Sequence, residues 1–569
     1  MNNQEIAKIF HEIAVLLEIE DVAFKPQAYE KAAMGLEALS EDVEKIYKRG
    51  GIKELEELPG VGKGIAEKII EYLKTGKIKE YQQLKKKTPV DIEELTAVEG
   101  IGPKTISILY KVLSIKNLKD LERAARAGKI RRLENFGEKS EQNILESIEF
   151  LKRSKGRFLL GEILPEVREI YKKLKNLKEV KKISLAGSLR RMKETIGDID
   201  FLVVSRQPEK VMNFFISLPG VIKIWGKGAT KTSVRMRQGY DMDIRVVAGK
   251  SFGSALQYFT GSKEHNIATR KLAMEKGFKL NEYGIKTEEE VYKKIGLPYI
   301  EPELRENTGE LEAGLRGKLP KIIGYQDICG DLHCHSHWGA DKNKAIKQIE
   351  NFVRLAREMN YEYVGISDHT KFLAIEHGLD EKQLLEQKKF IDKLNQKLKI
   401  ENCKLKILCG CEANIMADGS IDINDKTLAK LDYVIAGVHS QFKMNREKMT
   451  ERIIRAMRNP NVDIISHLTG RIIQQRDEYE IDFDKILKAA KETGTILEIN
   501  AYPVRLDLKD SNIRKAKEAG VKMVINTDSH QSEQMRFMEY GISQARRGWA
   551  EKKDIINCWS AEKMLGMLK

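Results

Sequence analysis

Five apolar runs in the C-terminal part of this 569-residue chain end on a metal-binding residue type, and nothing else in the sequence constrains the fold as tightly. They are Tyr363-Val-Gly-Ile-Ser-Asp-His369, Ile407-Leu-Cys-Gly-Cys-Glu412, Tyr433-Val-Ile-Ala-Gly-Val-His439, Val462-Asp-Ile-Ile-Ser-His467 and Val524-Ile-Asn-Thr-Asp-Ser-His530. A further run, Asp331-Leu-His-Cys-His335, sets two imidazoles two residues apart, on one face of a strand. A lone histidine at a strand end is usually just a hydrogen-bonded polar residue. Here eight of the ten histidines follow residue 330, and a pattern repeated at so many strand ends needs another reason. Charged, helix-patterned stretches separate the runs, which predicts a βα-repeat architecture. In an α/β barrel the strand ends converge on one mouth, where active sites lie. Mixed imidazole and carboxylate ligands suit Mn²⁺, Fe²⁺ or Zn²⁺, and spacing does not choose among them. Cys334, Cys409 and Cys411 are interleaved with the candidate ligands and read as core, while His337 and His377 read as loop residues.

The N-terminal third has a different grammar. Ile6, Ile9, Phe10, Ile13 and Leu17 recur at helical spacing. Leu58-Pro-Gly-Val-Gly-Lys-Gly-Ile-Ala-Glu-Lys-Ile69 is repeated as Val98-Glu-Gly-Ile-Gly-Pro-Lys-Thr-Ile-Ser-Ile-Leu109 and again as Leu133-Glu-Asn-Phe-Gly-Glu-Lys-Ser-Glu-Gln-Asn-Ile144. The third copy replaces the first glycine with Asn135, the residue that best substitutes at positive φ. This repeat resembles the helix-hairpin-helix DNA-binding motif. Glycines (Gly60, Gly62, Gly100, Gly102 and Gly137) let the backbone approach a phosphate, and amides of the next helix donate to it. Such contacts hold a duplex without reading its sequence. Charge points the same way. Residues 101–250 carry 33 Lys and Arg against 17 Asp and Glu, an excess of 16 in a chain whose net charge is +15. A local excess of that size suggests a polyanionic partner.

Between these regions lie short strands. Asp198 and Asp200 are two apart on a strand-like run, so both carboxylates leave one face, and Asp243 lies on a second run, Tyr240–Val247, with Asp241 sharing its face. Clustered carboxylates repel unless a cation compensates them, and they are hard ligands suited to Mg²⁺. Upstream, Gly187-Ser188 and Arg190-Arg191 supply small residues, a hydroxyl and guanidinium groups fit for a triphosphate.

The string Gly187-Ser-Leu-Arg-Arg-Met-Lys-Glu-Thr-Ile-Gly-Asp-Ile-Asp200 resembles the nucleotidyltransferase signature of family X DNA polymerases, and Tyr258-Phe-Thr-Gly-Ser262 and Lys276-Gly-Phe-Lys-Leu-Asn-Glu-Tyr283 resemble two further strings of that family. The resemblance implies a metal-binding catalytic triad of Asp198, Asp200 and Asp243, served by Mg²⁺ or Mn²⁺. It implies nucleotide contacts from Gly187, Ser188, Arg191, Gly197, Tyr258, Phe259, Gly261, Asn266 and Arg270. Lys263 stands where the vertebrate repair polymerase has an Asp. Lys68 matches the lysine that forms a Schiff base with an abasic sugar, and a helix dipole with nearby cations would free its amine. Gly64 holds a position where the vertebrate enzyme has a second functional lysine. The C-terminal runs resemble the polymerase and histidinol phosphatase (PHP) domain. That resemblance implies two or three divalent metals held by His333, His335, Asp341, His369, Glu412, His439, His467, Asp528 and His530. Around Asp341 the string Gly339-Ala-Asp-Lys342 departs from the usual Ser-Asp-Gly.

The expected fold is multidomain α and α/β. It comprises a helical lyase-like domain (1–88), a helix-hairpin-helix subdomain (89–150), a nucleotidyltransferase palm (151–252), a nucleotide-selecting thumb-like subdomain (253–316) and a distorted β/α barrel (317–569). Gly309, Gly314, Gly317 and Pro320 mark 309–321 as an interdomain linker. The expected activity is repair-type, gap-filling DNA synthesis with metal-dependent 3′–5′ exonuclease, together with abasic-site lyase or AP endonuclease action. Two other readings stay open: a DNA-binding small-molecule phosphatase, and an inert polymerase scaffold. Expected partners are gapped or primer-template DNA and dNTPs, for a monomer without membrane contact. Six unevenly spread cysteines, no apolar run of membrane-span length and no signal pattern in Met1–Phe10 place it in the cytoplasm.

Overall fold

The computed structural model describes residues 2–20, 22–37, 43–58, 60–96, 98, 101–133, 136–138, 140–145, 148 and 157–568. They form two compact units, residues 1–155 with 474–476, and residues 156–473 with 477–569.

The first unit is helical. Helix Asn2–Ile19 buries Ile6, Phe10, Ile13 and Leu17 in one apolar core, together with Ile65, Ala66 and Ile69 of helix Lys63–Thr75. The same helix sends Val15, Leu16 and Ile19 into a second core with Ile106 and Leu109 of helix Pro103–Leu113. One amphipathic helix thereby ties the two helix-hairpin-helix regions together.

The second unit opens with a five-stranded mixed sheet in the order β2–β4–β7–β6–β5, where β2 is Val180–Leu185, β4 Asp198–Ser205, β5 Val221–Lys227, β6 Lys231–Met236 and β7 Asp241–Val247. A small antiparallel pair, β1 (Phe158–Leu159) with β3 (Thr195–Ile196), flanks it. Period-two alternation divides the residues of β4. Phe201 and Val203 pack on the helices Leu160–Lys175 and Pro208–Ile216, while Leu202 packs on helix Phe252–Thr260. Asp198 and Asp200 share the parity of Leu202, so the carboxylates emerge on the face of that last helix.

Strands β8 (Gly330–Cys334), β9 (Tyr363–Ile366), β10 (Lys406–Cys409), β11 (Glu412–Asn414), β12 (Ile435–Gly437), β13 (Ile464–Ile465), β14 (Ile496–Asn500) and β15 (Met523–Asn526) form two parallel sheets. Isolated bridges join them at both edges, His369 to Glu412 and Cys334 to Ser529. With β10 and β11 as one interrupted stave, the result is a closed parallel barrel. Leu332, Tyr363, Leu408, Tyr433, Ile464, Ile496 and Val524 fill its interior, closed by Ile556 and Met564. Along β14, Ile496 lies in this plug while Leu497 and Ile499 face the surrounding helices, so Glu498 and Asn500 rise along the inner wall toward the mouth. Cys334, Cys409 and Cys411 are buried in the outer core, as the interleaving predicts.

The segment expected as an interdomain linker, 309–321, packs into the fold. Residues Glu310–Leu315 form a short helix, and Glu310 is fully buried, its carboxylate 2.6 Å from His265 Nδ1 and accepting the amides of Asn307 and Thr308. Its glycines serve close packing and positive φ (107° at Gly309, 65° at Gly317) rather than flexibility. The palm and barrel also share a core, because Ile473, Leu506 and Tyr540 of the barrel belong to the apolar cluster of Phe201 and Val203. Arg168 adds a bidentate pair with Glu539, at 2.7 Å on both arms.

Candidate functional site

Strands β4 and β7 run parallel in a register that sets Asp198 opposite Asp241 and Asp200 opposite Asp243. Burial, then the charges of Asp198 and Asp243, push the Asp200 carboxyl up to about 7. Lys231 on the neighbouring strand reaches Asp243 Oδ2 at 2.8 Å. Asp241 is already satisfied: Arg235 holds both its oxygens, at 2.5 and 2.8 Å, and the Trp225 indole donates to it at 2.8 Å. Asp198, Asp200 and Asp243 therefore remain as a carboxylate group short of positive charge, which fits divalent cations. Gly187 is required beside them on two counts, since its φ is 63° and a Cβ there would lie 2.5 Å from Asp200 Oδ2.

A cavity of about 870 Å³ opens next to this group, lined by Gly187, Ser188, Arg191, Asp198, Tyr258, Phe259, Gly261, Asn266 and Arg270. Of the nucleotide contacts expected from sequence, Gly197 alone is outside the lining. Tyr258 and Phe259 form a T-shaped pair at 5.1 Å, Arg270 lies over the Tyr258 ring, and Asn266 Nδ2 donates to the Tyr258 carbonyl at 2.6 Å. Arg191 donates to Glu306 at 3.0 Å and to the Thr260 carbonyl at 2.5 Å. Lys509, Asp510 and Arg547 of the barrel line the same cavity, a contribution that no local motif announces.

At the barrel mouth, eight of the nine ligands implied by the sequence, Glu412 among them, form one connected cluster. His369 Nδ1 and His467 Nε2 lie 2.9 Å from its carboxylate, His439 Nε2 3.2 Å and His333 Nε2 3.3 Å. His335 Nε2 is 3.2 Å from Asp528, and its ring stacks at 4.3 Å on both His369 and His530. Three overlapping ligand groups result: His335, His369 and His530; His333, His335, Glu412 and Asp528; and His369, Glu412 and His439.

Hydrogen bonds behind the ligands fix what the imidazoles offer. His333 Nδ1 is 2.7 Å from Glu498, so it donates there and turns an Nε2 lone pair toward Glu412. His439 Nδ1 donates to Asn414 Oδ1 at 2.7 Å, and that amide is oriented by its own NH₂ donating to Thr370 and Asp422. Imidazole lone pairs and carboxylate oxygens thus face one another in a buried space. His333 Nε2, His335 Nδ1 and Glu412 Oε2 are buried without a hydrogen-bond partner. Without a cation to take the Nε2 lone pair, burial opposes a charge on His333, but Glu498, Glu412 and Asp528 outweigh it and hold a second proton on the ring well above the usual imidazole range. Divalent cations between these groups satisfy the same demand, and the donor set fits them.

Asp341, implied as the ninth ligand, stands apart from these groups. It caps helix Lys342–Glu358, accepting the amides of Asn343 and Lys344, and lies in none of the three ligand groups found among the described residues. Both amides go to Oδ1, which ties that oxygen to the start of the helix. Asp341→Ala is expected to leave bound metal unchanged and to cost about 1 kcal/mol of stability, read by elemental analysis and chemical denaturation. A lost metal equivalent would restore Asp341 to the ligands. Sequence reasoning missed Glu498, Asn414, Asp422 and Arg505, whose Nε is 3.6 Å from Asp528. For Glu498 a signal existed, a lone acid inside the buried run Ile496–Asn500. His337, set aside as a loop residue, has its ring 5.4 Å from that of His530.

In the helical unit, Gly62 and Gly102 precede helices Lys63–Thr75 and Pro103–Leu113 with matching extended geometry, φ −88° and −95°. The carbonyls of Gly62, Gly102 and Gly137 accept the amides four residues on, from Ala66, Ile106 and Glu141. A Cβ on any of the three would meet nothing within 4 Å, so these turns are open to a ligand. Gly60 has φ 80° and approaches the Lys31 backbone. Gly100 and Asn135 lie outside the described residues. Lys68 sits between Glu71 (3.6 Å) and Glu80 (3.5 Å), carboxylates rather than the cations that a freed amine calls for.

Two sites of this kind in one chain define a class, a nucleotidyltransferase joined to a multi-metal barrel phosphoesterase. The chain matches family models described as a helix-hairpin-helix domain (1–78), a SAM-like helix-hairpin-helix tandem (92–149), a DNA polymerase beta thumb (255–306) and a PHP domain (331–502). It is 36% identical over 583 residues, spanning 100% of both chains, to the DNA polymerase/3′-5′ exonuclease PolX of Bacillus subtilis (strain 168), and it belongs to the bacterial family X DNA polymerases that carry a C-terminal PHP domain. Over 138 residues, 22% of this chain and 54% of the relative, it is 40% identical to a probable phosphatase of Thermoanaerobacter sp. (strain X514). A probable phosphatase of Clostridium acetobutylicum is 36% identical over 133 residues, 22% of this chain and 52% of that one. Among the described residues no helix is long and apolar enough to cross a membrane.

Proposed function

We propose that this chain is a repair-type DNA polymerase that extends a primer 3′ end in gapped DNA and trims 3′ ends at its barrel mouth. The observation that supports it best is the in-register group of Asp198, Asp200 and Asp243 beside the Gly187 turn and its cavity, in a stretch between the matched family models. Ser188 and Arg191 hold the triphosphate, Tyr258, Phe259 and Gly261 pack the sugar, and Asn266 and Arg270 lie by the nascent base pair. At the barrel, His333, His335, His369, Glu412, His439, His467, Asp528 and His530 hold the cations and keep bulk water from all but the mouth. Bound divalent cations, Mg²⁺ or Mn²⁺ at the palm and Mn²⁺, Zn²⁺ or Fe²⁺ at the barrel, would neutralise the carboxylates and stabilise charge on the attacking and leaving oxygens. The Lys68 amine is the nucleophile toward an abasic sugar, a role supported by its position behind the Gly62 turn alone. The protein acts as a monomer in the cytoplasm.

The test is an end-labelled primer on a gapped template with dNTPs and Mn²⁺, then the same DNA without dNTPs. Extension in the first and 3′ shortening in the second are expected. Neither activity, with hydrolysis of a small phosphomonoester instead, would favour the phosphatase reading. Duplex binding is expected to fall roughly 10²–10³-fold between 50 and 200 mM salt and to ignore sequence, because open backbone turns and a basic segment address phosphates. A flat salt response by anisotropy would contradict this.

A further inference from the structure

Arg547 ends the barrel helix Met538–Arg547, yet its side chain serves the nucleotide cavity. The guanidinium is 3% exposed and donates to Glu306 Oε1 at 2.9 Å, to the Arg191 carbonyl at 3.0 Å and to Asp510 at 2.5 Å. The same oxygen of Glu306 accepts Arg191 Nε at 3.0 Å, and Lys193 Nζ is 3.8 Å away. One carboxylate oxygen therefore holds two guanidinium groups, one from the palm and one from the barrel.

We propose that Arg547 is a positioning residue for the polymerase site: by holding Glu306 it lets Arg191 exchange that carboxylate for the triphosphate of an incoming nucleotide. The proposal rests on the cavity being the dNTP site. Arg191 cannot keep its Nε on Glu306 and turn it to a phosphate as well. An exchange that left Glu306 with Lys193 alone, 3.8 Å away, would place a partly buried and poorly neutralised negative charge beside a polyanion, an arrangement in which repulsion is strong because solvent screens it poorly. Arg547 prevents this, since it stays on Glu306 when Arg191 leaves. Asp510 and the Arg191 carbonyl fix Arg547 in place, so its position does not depend on nucleotide. The barrel thereby supplies part of the polymerase's nucleotide affinity from a residue that belongs to none of its own ligand groups.

The experiment is single-nucleotide insertion by the full chain as wild type, Arg547→Gln, Glu306→Gln and the double variant, with 3′ degradation of single strands in parallel. Arg547→Gln is expected to raise KM for dNTP roughly tenfold or more with kcat within about twofold, and to leave degradation unchanged. Adding Glu306→Gln removes the stranded charge, so the double variant returns KM to within about threefold of wild type. An unchanged KM in Arg547→Gln overturns the proposal. So does a joint loss of kcat and degradation that Glu306→Gln fails to restore, since that marks a packing defect. An Asp200→Ala control separates the premise from the proposal: if it still inserts nucleotide, the cavity is not the polymerase site.

Discussion

Asp200→Ala is expected to lower nucleotide insertion by roughly three orders of magnitude or more while 3′ degradation proceeds at the wild-type rate. Asp200 stands at the centre of its group, opposite Asp243 and two residues from Asp198. Its loss removes a ligand that neither neighbour can replace without leaving its strand position. The barrel site draws on no residue of this sheet, so degradation is the internal control, and parallel loss of both activities would show misfolding instead. The raised Asp200 pKa of about 7 sets a pH dependence. Metal and proton compete for this carboxylate, so the Mg²⁺ concentration for half-maximal extension should climb as pH falls below about 7 and level off above it. Stability without metal runs the other way. The unfolded chain ionises Asp200 near pH 4 and the folded one only near 7, so the folded state loses stability as pH rises through that window. Asp200→Asn should remove the loss, raising the Tm of the metal-free protein at pH 8 by a few degrees.

Glu412→Gln is expected to strip metal from the barrel and reduce 3′ degradation roughly a hundredfold or more, with primer extension retained. Four imidazole nitrogens lie within 3.3 Å of the Glu412 carboxylate, and Ser466 donates to it at 2.8 Å. Glutamine keeps the volume but removes the charge and presents an NH₂ where cations would sit. Metal per chain, by elemental analysis, decides the outcome, and thermal unfolding supplies a second reading. Chelator should lower the wild-type Tm more than that of Glu412→Gln, which keeps only the palm cations, because only a native state that binds metal is stabilised by it. Full metal content with undiminished degradation would refute the assignment.

Features set by local periodicity were legible in the sequence. The two-residue spacing of Asp198 and Asp200 is enough to put both on one face, and a strand that ends in histidine delivers it to the mouth of a parallel barrel wherever the other strands come from. Roles decided by distant partners were not legible. Spacing alone does not tell Asp241 from Asp243; the resemblance picks Asp243, and in the fold Arg235 and Trp225, on β6 and β5, occupy Asp241. Asp341 has the right residue type near the right place, and the two amides that open the next helix hold one of its oxygens. The glycines at 309–317 mark an interdomain linker from composition alone. In the fold, Gly314 instead lies where a Cβ would come within 2.9 Å of Leu297.

The shared core of palm and barrel bears on how such a chain can be taken apart. Leu506 is fully buried, and it belongs to the palm cluster although it lies in the loop between β14 and the helix Asp510–Ala519. Pro503 in that loop sits where a Cβ on Gly161 of the palm would be, at 2.2 Å. A polymerase fragment ending at residue 316 would therefore carry an open apolar wound, and it would also lack Arg547 and Asp510 from the wall of its nucleotide cavity. A barrel expressed alone would expose Leu506, Ile473 and Tyr540. Excision of either module thus predisposes to aggregation, and grafting this barrel onto another polymerase would require its palm-facing surface to be redesigned first.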